Sequence, residues 1–226
     1  MTTIKSYCRH SFIVFTFILP VIATAATTKT ITQAFDAAEL ERLELEISVA
    51  ELDIEIVDGD VIELEVQLEA ERRFFGLRSG SVDDVELVTH RSNSTLFLGI
   101  EDKNVEQHWV MHIPRNLALA ISVGVGEVDI DKLENDLTLE VGVGAVRVDV
   151  IESAFADIQL QTGIGDAVIR GLKYRADNER SFISADAYYE GQGEHHISID
   201  LGVGDALVRD QRERLCKDLA ASNQVQ

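Results

Sequence analysis

Much of the chain consists of runs in which every second residue is apolar. Successive side chains of a β-strand point to opposite faces, so such a run predicts a strand with one buried face. One run has its apolar residues at odd positions up to the glycine pair Gly142 and Gly144, and at even positions after it. These residues are Leu137, Leu139, Val141 and Val143, then Val146, Val148 and Val150. The alternation therefore slips by one residue at the second glycine.

This pattern recurs along the chain. Copies with a glycine pair are ISVGVGEVDI at 121–130, LEVGVGAVRV at 139–148, LQTGIGDAVI at 160–169 and IDLGVGDALV at 199–208. FISADAYYEG at 182–191 fills the double interval before the last copy, with Ala185 in the place of the second glycine. An earlier copy, LEISVAELDIEI at 45–56, has Ser48 and Ala50 at the glycine positions. Because glycine permits the bend that a one-residue slip requires, each copy predicts a strand, a glycine corner and a second strand.

Aligned on the second glycine, the copies share two apolar columns and one charged column. The apolar columns are Leu52, Val128, Val146, Ala167, Ala187 and Ala206 two places after the corner, and Ile54, Ile130, Val148, Ile169, Tyr189 and Val208 four places after it. The charged column is Asp131, Asp149, Arg170, Glu190 and Arg209, in which the last three alternate in sign. We predict an all-β fold, a single elongated β-solenoid or β-helix-like stack of two-strand repeats about 20 residues long with glycine corners.

The segment between the early copy and the glycine-containing copies is less regular but also predicts strands. They are expected at 61–68, 85–88, 95–100 and 108–113, with a loop at 71–84 that carries Arg72, Arg73, Phe74 and Phe75. Residues 211–226 are polar and predict a tail or a short cap over the last open edge. Together the strands and repeats predict one domain, residues 26–210.

The N-terminus predicts export. Lys5 and Arg9 precede an apolar run from Phe12 to Ile22, and Ala23 and Ala25 supply the small residues of a signal-peptidase site. Residues 1–25 are therefore expected to be a secretory signal peptide. The apolar run is far shorter than the ~20 residues that cross a bilayer, so we expect no transmembrane segment in the mature chain. Periplasm, cell surface and secretion all fit this pattern.

The charge restricts the classes of partner, and the cysteine content bears on how the fold is stabilised. The formal charge is −20, and loss of the signal peptide, with its two basic residues and no acidic residue, would make it −22. A chain this acidic repels phosphate backbones, which excludes nucleic acid as a partner. Only Cys216 would remain after processing, so no intrachain disulfide would form and stability would come from packing.

The order of these features resembles a known family. An exported N-terminus, the strand pair LELEISVAELDIEI, a strand ending in Ile113-Pro114 and serial G-x-G-x-V-x-V units resemble the bacterial putative-adhesin domains of unknown function, over residues 35–210. That family is related to the toast-rack domains of envelope-stress regulators. The resemblance implies an all-β stack at the cell envelope and supplies no catalytic residues. The chain departs from the family's usual small polar residue beside the glycines, where it has Val125, Val143, Ile164 and Val203.

The first candidate site is an acidic column directly after the corner. It consists of Glu127, Asp166, Asp186 and Asp205, with Glu51 in the early copy. Carboxylates one strand apart repel each other unless a cation bridges them or water screens them, and calcium binds such oxygens in extracellular modules. A calcium row is one interpretation. A solvated acidic face is the other, and the glycine-rich nonapeptide of calcium-binding β-rolls is absent from the sequence.

The second candidate site is the glycine column itself. The glycines would leave a groove free of side chains, where a glycan or a peptide backbone lies close to the protein. They are Gly124, Gly126, Gly142, Gly144, Gly163, Gly165, Gly202 and Gly204. Tyr188, with Tyr174 in a neighbouring loop, would be available to stack on sugar rings. The alternative is that the glycines only form the corner and that the tyrosines only pack.

Histidines offer weaker metal candidates. His195 and His196 are adjacent and would point to opposite faces of a strand, so they form a poor chelating pair. His108 and His112 share a face, with His90 expected nearby, but the sequence shows no third ligand at a zinc spacing. This favours a solvent-facing stripe.

Three classes of function fit the sequence. A non-catalytic cell-envelope protein that binds or scaffolds, adhesin-like, with an envelope protein or a glycan as partner, accounts for the repeats without an active site. A β-helix enzyme acting on acidic polysaccharide is the second hypothesis, although its substrate would be repelled by the acidic chain. An envelope-stress sensory or regulatory module is the third. No cofactor is required by the sequence, and calcium is the one candidate ion.

Overall fold

Strands make up most of the part of the chain that the structure describes. A computed structural model describes residues 28–70, 82–100, 105–173, 176–180 and 184–212. The predicted signal peptide, Arg72, Arg73, Phe74, Phe75, Tyr174, Cys216 and the predicted tail from residue 213 lie outside these ranges. The strands are β1 Thr28–Asp36, β2 Arg42–Val57, β3 Val61–Ala70, β4 Val88–Ser92, β5 Thr95–Ile100, β6 Val105–Pro114, β7 Ala118–Leu133, β8 Leu137–Val150, β9 Phe155–Arg170, β10 Ala176–Arg180, β11 Ala185–Glu190 and β12 His195–Asp210. The predicted all-β class is confirmed.

These strands form one open sheet. Five long strands, β2, β7, β8, β12 and β9, lie side by side in that order and run parallel. On its other side β2 pairs with two shorter parallel strands, β5 along Arg42–Ile47 and β6 along Ala50–Val57. Antiparallel strands complete the sheet, with β3 and β1 beyond β6, β4 beyond β5, and β11 and β10 beyond the first half of β9. β5 and β6 thus correspond to the two halves of a long strand that is interrupted at the bend.

The glycine pairs lie at this bend and allow the strands to pack closely there. A Cβ on the second glycine of each strand would lie 1.7 Å from a carbonyl oxygen of the neighbouring strand. Gly165 and Gly204 also have φ angles of +141° and +138°, a conformation that residues with a side chain rarely adopt. Each of the four copies forms one continuous strand, β7, β8, β9 or β12, and not the two strands predicted, and its glycines stand where the alternation slips.

β2 bends without glycine, and its position explains why. In β7, β8, β12 and β9 the close carbonyl oxygen belongs to the strand that comes before in the order of the sheet. On the corresponding side, β2 pairs with β5 up to Ile47 and with β6 from Ala50. Among the described residues, no strand pairs with Ser48 and Val49 on that side. Ser48 therefore lacks the close strand contact that requires glycine in β7, β8, β9 and β12, and Ala50 does not have the positive φ of Gly165 and Gly204.

The buried side chains of both strand halves form a single core. In β7, Leu119, Ile121 and Val123 are buried before the corner, and Val128 and Ile130 after it. This change of parity is the predicted phase slip. Both halves contribute to one hydrophobic cluster, so the sheet folds over its own inner face at the corner.

Two predictions about the repeat order are wrong. β12 lies between β8 and β9, so the last copy in the sequence occupies an internal position in the stack. After β9 the chain forms the antiparallel strands β10 and β11 at the edge of the sheet, and β12 then inserts between β8 and β9. FISADAYYEG is also not a bent copy, because β11 runs antiparallel to the first half of β9 with Ala185 opposite Thr162. The sheet is open, and the elongated solenoid with repeats in chain order is not confirmed.

The less regular segment was predicted in outline. β3, β5 and β6 confirm strands at 61–68, 95–100 and 108–113, whereas the strand expected at 85–88 lies at Val88–Ser92. β1 was missed because its burial pattern is mostly exposed, which leaves little apolar alternation to detect. Among the described residues, no helix has the length and apolar content needed to cross a membrane.

Candidate functional site at the glycine corner

A line of exposed branched side chains runs along the outside of the corner. Val125, Val143, Val203 and Ile164 stand between the two glycines of their strands, and each is 41–53 % exposed. They are cross-strand neighbours in that order, and we call them the corner ridge. The alternation pattern placed the three valines on the inner face, and this is wrong. Because the bend includes both glycines, the residue between them points away from the inside of the corner.

A column of glycines flanks the ridge on each side. The first column is Gly124, Gly142, Gly202 and Gly163, and the second is Gly126, Gly144, Gly204 and Gly165. Over the first column lies an open groove of about 620 Å³, which we call the glycine groove. Its lining includes the polar residues Ser122, Glu140, Gln161, Asp186 and Asp200. The structure thus brings together all eight glycines singled out in the sequence.

Tyr188 lies near this groove but does not line it. It is 42 % exposed and lies on β11 opposite Gln159. Asp186, which does line the groove, stands two residues away on the same face of β11. Tyr188 is therefore about 7 Å further from the corner along the strand.

The acidic column is only partly assembled. Its members follow the strand order Glu127, Ala145, Asp205 and Asp166, so Ala145 separates Glu127 from the two aspartates. The backbone N–H of Asp166 donates a hydrogen bond to Asp205 Oδ1 at 3.1 Å. Asp186 lies outside the column, because antiparallel β11 places it opposite Gln161, before the corner. Calcium binding by Glu127, Asp166 and Asp205 stays a prediction.

Two arginines pair with carboxylates on the outer face beyond the corner. Arg147 Nη1 donates to Glu127 Oε1 at 2.6 Å and to Asp129 Oδ2 at 3.1 Å. Burial raises the pKa of Asp129, and the charge of Arg147 opposes that rise. Arg209 lies between Asp149 and Arg170 and donates to both carboxylate oxygens of Asp149. The predicted alternation of Arg170, Glu190 and Arg209 is wrong, because β11 is not a copy of the repeat and Arg209 lies directly beside Arg170. The opposite charges that do pair in the charged column are those of Arg209 and Asp149.

His195 and His196 point to different partners, as their adjacency predicts. His195 Nδ1 lies 3.5 Å from Asp136 Oδ2, beside β8, and the His196 ring contacts Asp157 on β9. The two imidazoles therefore do not converge on one ion.

The other histidines gain neighbours that the sequence does not reveal. His108 and His112 share a face of β6, as predicted, and β2 places acidic residues beside both of them. His90 lies on β4, where its ring is 5.9 Å from that of Phe97. The sequence signal for these acidic neighbours is the alternating run Glu51, Asp53 and Glu55, but the pairing of β2 with β6 is needed to bring it to the histidines.

No protein-family model and no curated protein matches the chain. Solved protein structures are similar to it, among them the following three. A putative cell adhesion protein from Clostridium sporogenes is 13% identical, with 81% of this chain and 99% of that protein covered and a TM-score of 0.49. A putative adhesin from Parabacteroides merdae is 9% identical (80% and 96% covered, TM-score 0.26), and one from Bacteroides fragilis is 11% identical (80% and 97% covered, TM-score 0.27). These neighbours are described as adhesion proteins, the group that the sequence pattern resembles.

Proposed function

We propose that the chain is an exported, non-catalytic binding protein of the cell envelope, and that the corner ridge and the glycine groove hold an extended segment of a partner protein. The corner ridge is the observation that carries this proposal. Half of the large apolar residues that are exposed in the described part of the chain lie on this one line. Concentrated exposed apolar surface marks sites of interaction, whereas scattered apolar residues do not.

The dimensions of the ridge suit an extended peptide segment. Neighbouring strands are about 4.8 Å apart, so four strands give a ridge of about 14 Å. An extended chain rises about 3.3 Å per residue, so four or five residues cover that length. The flanking glycines leave backbone uncovered, which lets the main chain of a partner approach closely.

The surroundings of the ridge favour a partner with basic residues. Glu140, Asp186 and Asp200 lie on the groove side, and Glu127 and Asp205 lie beyond the second glycine column. An apolar centre with a polar rim is the usual anatomy of a protein interface. Because the rim is acidic and the chain has a formal charge of −20, charge complementarity selects apolar residues flanked by Lys or Arg.

The same features favour a protein segment over a sugar. Aromatic faces are the usual platforms for sugar rings, whereas the ridge is aliphatic and Tyr188 lies outside the groove. An acidic polysaccharide would also be repelled by the carboxylates at the rim. Binding of a neutral glycan is the alternative that the test below distinguishes.

The test is selection from a library of random displayed peptides by the immobilised mature chain. The ridge variant replaces Val125, Val143, Ile164 and Val203 together by threonine, which keeps the branched shape and strand propensity but removes apolar surface. The control variant replaces Val61 and Val88 by threonine. Both valines are 47% exposed and lie outside the corner ridge, at the beginning of β3 and β4. The wild type and the control are expected to enrich peptides that combine apolar and basic residues, and the ridge variant is expected to lose them.

Two results would overturn the proposal. One is undiminished peptide retention by a ridge variant whose melting temperature matches the wild type. The other is the absence of peptide enrichment together with binding on an array of neutral glycans, which would assign the groove to sugar. Export is checked separately by mass spectrometry of the protein from its native host, where the mature chain is expected to begin at Ala26.

A further inference from the structure

A second group of ligand-type side chains lies on the strands β2 and β6, outside the corner ridge. His108 on β6 is paired with Glu51 on β2, and Asp53 follows two residues later on the same face of β2. One nitrogen of the imidazole and one oxygen of each carboxylate lie within 4.8 Å of one another. We propose that His108, Glu51 and Asp53 bind a divalent transition-metal cation of the zinc type, with water completing its coordination.

The environment of His108 Nδ1 supports a metal ligand. This nitrogen is shielded from solvent and makes no hydrogen bond, although it lies 3.3 Å from Glu51 Oε2. A buried polar atom without a hydrogen bond costs free energy that a bound cation would recover. Zinc bonds of about 2.0–2.2 Å in tetrahedral geometry place two ligand atoms roughly 3.4 Å apart. The spacing of Nδ1 and Oε2 matches that separation.

The charges around the cluster also call for a cation. Among the described residues, His108 is the only basic side chain within 4 Å of Glu51 or Asp53. On the other side of β2, Glu127 and Asp129 are the strand partners of these two acids, and Arg147 already binds both. The positive charge of Arg147 thus offsets the two carboxylates of β7, while the neighbouring carboxylates Glu51 and Asp53 on β2 repel each other.

The ligand types select among metals. Calcium and magnesium prefer oxygen ligands alone, whereas imidazole suits zinc, copper, iron and nickel. The proposed site therefore differs in chemistry from the calcium row predicted at Glu127, Asp166 and Asp205, although its Glu51 belongs to the same acidic column and is the strand partner of Glu127. A metal here would join β6 to β2 next to the interruption between β5 and β6, and so would hold the divided side of the sheet together.

His112 provides an internal comparison on the same strand. Its ring lies 3.8 Å from Glu55 Oε2 on β2 and 3.5 Å from Glu63 Oε2 on β3. Glu55 is also bound by Lys132, and the two carboxylates lie on strands on opposite sides of β6. His112 is thus a histidine beside two carboxylates that do not converge with it into a ligand cluster.

The experiment is zinc titration of the full chain, prepared without a polyhistidine tag and freed of metal with a chelator, by isothermal calorimetry. The wild type is expected to bind one equivalent, to rise in melting temperature with zinc, and to keep the zinc in the presence of millimolar calcium. His108→Asn and the double variant Glu51→Gln/Asp53→Asn are expected to lose both effects. His112→Asn and Glu63→Gln are expected to keep them.

Several outcomes would overturn the proposal. They are absence of binding by the wild type, equal loss of binding in His112→Asn and His108→Asn, or displacement of zinc by calcium at equal concentration. Circular dichroism reports whether each variant is folded. If His108→Asn does not fold, the Glu51→Gln/Asp53→Asn variant decides, together with the imidazole NMR signals of the wild type, in which zinc is expected to shift His108 and not His112.

Discussion

Gly144 lies so close to Gly126 that no side chain fits between them, since a Cβ on Gly144 would stand 1.7 Å from the Gly126 carbonyl oxygen. The next strand repeats the relation, because a Cβ on Gly204 would lie 1.7 Å from the carbonyl oxygen of Gly144. Each strand therefore bends at the same place as its neighbour, because their backbones are in close contact there. This explains why glycine stands at the same place in four strands although two of them, β12 and β9, are not in chain order.

Replacing Gly144 by alanine is expected to destabilise the protein by about 3 kcal/mol or more. Two causes act together, the clash with the Gly126 carbonyl group and the φ of +156°. The free energy of unfolding from urea denaturation measures the effect.

Two further alanine variants separate these causes. Gly124→Ala introduces only a clash, with a Cβ 2.5 Å from the Ser48 carbonyl oxygen, whereas Gly59→Ala introduces only the strained φ of +136° with no atom within 4 Å. We expect a cost of about 1–2 kcal/mol for Gly59→Ala and a larger cost for Gly144→Ala. Equal stability of the Gly59→Ala and Gly144→Ala variants would show that the close approach of the strands does not determine the corner.

The strands and the corner could be predicted because their signals are local. The alternation around Gly144 and its slip lie within about ten residues, which is the range over which strand periodicity acts. The position of β12 could not be predicted, since its apolar columns match those of every other long strand. The charges do not place it either, because Arg170 and Arg209 are equally suited to pair with Asp149.

The same distinction between local signals and long-range strand pairing applies to the candidate sites. The glycine columns could be predicted, because each glycine pair is visible in its own segment. The exposure of Val143 could not, since a valine in an alternating run reads as a buried residue until the shape of the bend is known. The acidic partners of His108 depend on the pairing of β6 with β2, which joins distant parts of the chain.

The ion pair between Arg209 and Asp149 is expected to contribute more than a surface pair. Asp149 is 3% exposed, so removing the guanidinium in Arg209→Met takes two hydrogen bonds from a buried carboxylate. The expected loss is about 3 kcal/mol in the free energy of unfolding. The comparison variant is Arg147→Met, whose side chain is 49% exposed, and here a loss of about 0–1 kcal/mol is expected.

A double-mutant cycle completes this test. In Asp149→Asn/Arg209→Met both charges are absent, so the combined loss is expected to be smaller than the sum of the two single losses. Additive losses would mean that the two side chains act independently in spite of their contact.

Acid is expected to weaken the end of β12. The Arg212 side chain donates hydrogen bonds to Asp210 and holds the pKa of that carboxyl below its usual 3.8. A lowered pKa gives stability that is present above pH 3.8 and is lost as the pH falls through the folded-state value. Arg212→Gln is therefore expected to flatten the fall of melting temperature below pH 4. Arg91→Gln, which removes an exposed pair with Glu39, should leave that fall unchanged, and an equal effect of both variants would refute the assignment.

Asp129 is expected to act with the opposite sign. Burial raises its pKa above 3.8, and the nearby Arg147 does not fully offset this, so the folded protein binds the proton more tightly than the unfolded chain. Stability from this group therefore falls as the pH rises from 3.8 through the raised value. Asp129→Asn should have a higher melting temperature than the wild type at pH 7, and this advantage should vanish below pH 3.8. Glu127→Gln removes another carboxylate held by Arg147; if it gives the same gain, relief of negative charge in general, and not the burial of Asp129, is the cause.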